Sequence, residues 1–166
     1  MSSLGNGLNQ PENTALIARM RAQAAVNSGA GWFVWIAGLS MVNSLISVFG
    51  GGWRFIFGLG ITQVVDAVAH EAGTTGAFLD LIINAFVAGV FVLFWNFARK
   101  RAKWAFLVGM TLYLLDGVLC LLFKDLFATA FHGWALFRIY QGFSEVSMLE
   151  TLRQQDMTAG APIQPR

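Results

Sequence analysis

The sequence predicts an all-α fold: an integral membrane helical bundle of four full transmembrane helices plus a shorter fifth apolar segment, re-entrant or spanning. Three observations lead there. Hydrophobic residues make up 56% of the 166-residue chain and charged residues only 12%, against roughly 25% charge in an average soluble domain. The apolar residues collect in runs close to the length that crosses a bilayer. The basic residues collect at the ends of those runs, where Lys and Arg set orientation.

Residues 77–103, AFLDLIINAFVAGVFVLFWNFARKRAK, orient everything else. Helical rise makes residues 77–98 about 33 Å long, enough for the hydrocarbon core. The block Arg99, Lys100, Arg101 and Lys103 that follows marks a cytoplasmic end, because short Lys- and Arg-rich loops stay inside. The net charge of +2 is too small, and too confined to helix ends, to indicate nucleic-acid binding.

Taken in order, residues 1–29 form a polar N-terminal segment. Pro11 and Glu12 suit a first helical turn, and Gly29 suits a stop. Leu16, Ile17, Met20 and Ala24 share one face between them, consistent with an interfacial helix or a soluble one. The first long apolar run begins near Trp32, too far in for a usual cleavable signal peptide, so it is expected to stay as a span.

Residues 30–143 make the transmembrane bundle. In the span 32–49, Ser40, Asn43, Ser44 and Ser47 recur at i, i+3, i+4 and i+7, forming one stripe. That stripe is expected to pack against other helices, since small hydroxyl side chains allow close approach and hydrogen bonding in lipid. Trp32, Trp35 and Trp53 are expected as interfacial anchors. Gly50, Gly51 and Gly52 break the chain direction. Residues 55–69 are short for a span, and whether they cross decides the topology. Four crossing segments put Arg19, Arg21, the basic block, Arg153 and Arg166 on one side; five strand Arg19 and Arg21 outside. The charge rule favours four.

The turn at Thr74, Thr75 and Gly76 leads into the span 77–98. Residues 104–123 and 126–143 are the next two spans, separated by an outer turn at Lys124 and Asp125. Residues 144–166 are expected as a cytoplasmic helical extension and a flexible tail, placing the C-terminus in the cytosol. A cell membrane, with the bacterial inner membrane as the frame, is the expected location.

Ionisable residues inside spans are costly and therefore candidates for function. Helical rise from the basic block places Asp80 about 28 Å and Asn84 about 22 Å away, and puts Asp116 roughly 18 Å along the next span from Trp104. His132 lies about 9 Å below the outer turn. Asp66, His70, Asp80, Asn84, Asp116 and His132 thus share the outer half of the membrane and form a candidate polar cluster. Arg138 is expected either to pair with Asp116 or to snorkel. The plainer reading satisfies these groups by hydrogen bonds between helices or by headgroup water.

No catalytic residue is assigned. His70-Glu71 lacks the second histidine of a HExxH helix, since position 74 is threonine, and there is no GxSxG elbow or phosphate loop. Cys120, the only cysteine, excludes an intramolecular disulfide and a cysteine-rich metal site. Within VLCLLF it reads as a packed, inert thiol, with palmitoylation as the alternative. No cofactor and no resident metal are expected.

The functional expectation is a non-enzymatic accessory or interaction subunit of a membrane complex, partnered by lipid and by another membrane protein or a second copy. The alternative is a small proton- or cation-coupled transporter that uses the polar cluster.

Overall fold

In the computed structural model, described over residues 10–48 and 73–158, the chain forms four α-helices. They are α1 (Gln10–Val48), α2 (Gly73–Ala98), α3 (Lys103–Leu122) and α4 (Leu126–Thr158). The described residues contain no strand. The side chains of 10–12, 47–48, 73–78 and 80 lie outside the description. Residues 55–69, the expected fifth segment, also lie outside the described residues.

The four helices alternate in direction. Contacts at one end show this: Arg19 of α1 pairs with Asp156 of α4, Arg101 after α2 donates to Gln23 of α1 at 2.7 Å, and Lys103 of α3 meets Glu150 of α4. The start of α1, the end of α2, the start of α3 and the end of α4 therefore share this basic end. The turn between α3 and α4 lies at the other. Around the bundle, α1 packs on α2 and α4, α3 packs on α4, and α2 touches α3.

Among the described helices, α1, α2 and α3 are long and apolar enough to cross a membrane. Their windows are residues 13–46, 81–98 and 103–122. The expected span 126–143 is helical within α4, but His132, Arg138 and Gln141 lower its hydropathy below that of the other three.

Gly29 does not end a helix as the sequence reading expected. α1 runs through it for 39 residues, about 58 Å. The residue serves packing instead. A Cβ on Gly29 would lie 2.6 Å from Gly142 Cα, and one on Gly142 would lie 2.7 Å from Gly29 Cα. The two backbones touch where neither carries a side chain, which is what lets the helices cross this closely. A lone glycine costs a helix about 1 kcal/mol, too little to end one that packs along its length. α4 is similarly long, 33 residues or about 50 Å.

Phe33 centres the core. Fully buried, it meets the rings of Phe91, Phe94 and Phe106 at centroid distances of 6.2, 6.0 and 6.1 Å. Gly109 of α3 makes room, since a Cβ there would stand 2.6 Å from the Phe33 ring. Large apolar side chains also cover the outside, including Trp35, Ile82, Phe86, Leu115, Leu122 and Phe137. The continuous α1 also changes the expected role of Trp32. It sits within the helix, edge-on to Trp134 at 4.6 Å, packing between helices instead of marking an end. Trp35, also inside α1, is exposed.

Both short turns close with the same motif. Asp125 N–H bonds Cys120 O at 3.0 Å and Lys124 N–H bonds Leu121 O at 2.9 Å, with Lys124 at φ 61°. Ala102 N–H bonds Phe97 O at 3.1 Å and Arg101 N–H bonds Ala98 O at 2.8 Å, with Arg101 at φ 67°. These paired bonds are Schellman closures, in which glycine usually takes the left-handed position. Here charged residues take it, at the two ends of the bundle. Asp125 then caps α4, its Oδ1 accepting from Ala128 N–H at 2.9 Å. The cap fixes how α4 returns along α3, and so what α4 presents to it.

Candidate functional site

Tyr113, Asp116, Gly117 and Cys120 recur at i, i+3, i+4 and i+7, so one face of α3 carries all four, and all are buried. The tight turn brings α4 back against that face and inserts His132. Gly117 accommodates it: a Cβ at 117 would lie 3.0 Å from His132 Cβ. Tyr113 stacks on the imidazole, centroids 4.3 Å apart and planes 20° from parallel.

The two ring nitrogens of His132 have different partners. Nδ1 lies 2.7 Å from Ala128 O, one turn back on α4. Nε2 lies 2.9 Å from Asp116 Oδ2 across the helix pair. A carbonyl oxygen only accepts, so Nδ1 carries a hydrogen. In a neutral ring Nε2 then presents a lone pair toward the carboxylate. Two acceptors at 2.9 Å need a positive particle between them. That particle is a proton shared by the pair, or a metal ion.

Both groups are almost wholly removed from solvent, Asp116 at 5% and His132 at 2% exposure. Cys120, also buried, adds a sulfur, and Asp116, Cys120 and His132 each offer one ligand atom within 4.8 Å of the others. Helical rise puts Cys120 about 6 Å and Asp116 about 12 Å from Lys124, so the cluster is near the α3–α4 turn.

A second polar contact joins α1 to α2. Asn84 Nδ2 donates to Ser44 Oγ at 2.6 Å, Ser44 Oγ donates to Ser40 O at 3.2 Å, and Ser40 Oγ donates to Ile36 O at 2.9 Å. Ser40, Ser44 and Asn84 are buried and Asn43 half-buried. The serines back-bond to their own helix, which leaves Ser44 Oγ free to accept from the neighbouring one.

Of the predicted cluster, Asp116 and His132 are brought into contact, while Asn84 is at the α1–α2 interface. Asp66 and His70 lie outside the described residues; Asp80 falls on α2 with its side chain outside the description, as does Ser47 on α1. Arg138 donates to Gln141 at 3.0 Å, and His132 takes the place beside Asp116 considered for it. At the basic end, Arg99 lies 4.6 Å over the Trp95 ring and Lys100 lies 5.8 Å from the Phe97 ring. Arg101 and Lys103 make the contacts to Gln23 and Glu150 already described.

The sequence reading did not attach Tyr113 or Gly117 to the site and set Cys120 aside. The signal was present in the spacing of the four α3 residues, but which face His132 would meet was not. No family model, curated protein or solved structure matches the chain.

Proposed function

We propose that the chain is a multi-pass membrane protein in which all four described helices span, with the basic end in the cytosol. Its role, in this reading, is that of a non-enzymatic accessory or interaction subunit. One observation carries it: α1 and α4 both outrun a bilayer at the same end. The hydrocarbon core is about 30 Å thick, while the two helices extend for about 58 and 50 Å. Gln23 lies beside Arg101, so residues 10–22 of α1 project about 20 Å beyond the basic loop. The projection stays attached to α4 through Arg19 and Asp156 and leaves Leu16, Ile17 and Met20 exposed. Apolar side chains there, on a helix held by polar contacts, suit protein docking.

The test is a photo-crosslinking residue at Met20 in cell membranes. A discrete adduct with one other protein, or with a second copy, is expected, and Ile17→Glu should abolish it without removing the chain from the membrane. A chain that yields no adduct and purifies as a lone monomer would overturn the reading.

The buried Asp116–His132 contact favours a second reading, a proton- or cation-coupled carrier. In that case Asp116→Asn abolishes pH-dependent uptake at an unchanged membrane level; unchanged uptake removes the carrier reading.

A further inference from the structure

We propose that Asp116, Cys120 and His132 form a binding site for a borderline transition-metal ion of the Zn2+ class, inside the bundle near the α3–α4 turn. The inference is independent of what docks on the projecting ends of α1 and α4.

Three features support it. The first is the donor set. A carboxylate oxygen, a thiolate sulfur and an imidazole nitrogen together suit Zn2+ and its neighbours, whereas Mg2+ and Ca2+ take oxygen ligands. The second is orientation. Nδ1 of His132 faces the Ala128 carbonyl at 2.7 Å, which fixes the ring and turns Nε2 toward the other donors. Holding the second nitrogen on a backbone carbonyl is how metal-binding histidines are usually aimed. The third is spacing. With metal–ligand bonds of about 2.1 Å, nitrogen and oxygen ligands stand about 3.0 to 3.4 Å apart, depending on the bond angle. The observed Nε2–Oδ2 separation is 2.9 Å, so that pair needs to open by only tenths of an ångström. Cys120 Sγ, within 4.8 Å of both ligand atoms, completes the set by moving inward.

Charge balance favours occupation. On loading, Cys120 gives up its thiol proton and the Asp116–His132 contact gives up the proton it shares, both to water. Ionised Asp116 and Cys120 with neutral His132 then balance a divalent cation, so the buried site carries no net charge. Three protein ligands leave one position of a tetrahedral ion for a further ligand. The sequence alone gave no reason to expect this site, because only the return of α4 brings His132 beside Cys120.

The test uses full-length, tag-free protein in detergent, with Zn2+ for binding and Co2+ as the spectroscopic probe. Saturable binding of one ion per chain is expected, with a thiolate-to-cobalt charge-transfer band. Cys120 is the sole cysteine, so that band in the unmodified chain identifies it without any variant. Cys120→Ser should abolish the band, and His132→Gln should weaken Zn2+ binding by more than about tenfold. Mg2+ at the same concentration should not compete. Absence of saturable binding, binding without the charge-transfer band, or Zn2+ affinity unchanged in folded His132→Gln would each overturn the proposal.

Discussion

At the scale of single residues, Asp116, His132 and Ser44 are buried polar groups that a neighbour satisfies. Asp116 and His132 bond each other, Nδ1 of His132 also bonds Ala128 O, and Tyr113 covers the ring. Removing one member of a buried charged pair costs about 3–5 kcal/mol, since the other is left uncompensated. His132→Leu should therefore destabilise the protein by about that amount, and adding Asp116→Leu should recover a large part of the loss. Reversible unfolding in mixed micelles measures both. Additive losses in the double variant would show that the two side chains do not depend on each other.

Element by element, glycine acts by absence. Gly29 and Gly142 let α1 and α4 meet backbone to backbone. By contrast, Gly31, two residues along, has nothing within 4 Å of where its Cβ would stand. Gly29→Ala should force the helices apart at a cost of about 1–3 kcal/mol. Gly31→Ala should instead gain up to about 1 kcal/mol from helix propensity. The comparison is made by thermal or denaturant unfolding of the two variants side by side, and equal effects would contradict the close crossing. The spacing of apolar residues announces each helix. It does not announce that α1 continues through Gly29, because a glycine that ends a helix and one that packs against another look the same along a chain. That each run is helical was legible; helix continuity, and with it the 39-residue length of α1, was settled by a partner over a hundred residues away.

For the whole molecule, the alternation of the helices collects Arg19, Gln23, Arg101, Lys103, Glu150 and Asp156 at one end, opposite Lys124 and Asp125. On a Cys120→Ser background, cysteines placed at Arg153 and at Lys124 should label from opposite sides of sealed vesicles, and one at Arg21 should label with the first. Labelling of Arg21 and Arg153 from different sides would break the alternation. Large apolar residues lie on the outside and the Asp116–His132 and Asn84–Ser44 pairs lie within, since a buried polar group left unpaired is costly.

Composition and periodicity by themselves determined that the described chain is helical and where the basic loop falls; they led to an expectation of four full spans, and three of the described helices are long and apolar enough to cross a membrane. These are local properties, carried by each run of about twenty residues without reference to any other. Which polar residues meet was decided by the tertiary structure alone. Asp116 reaches His132 because the three-residue turn between α3 and α4 returns α4 along α3, and Asn84 reaches Ser44 across the α1–α2 contact. Periodicity places residues on a shared face; only packing determines which helix that face meets.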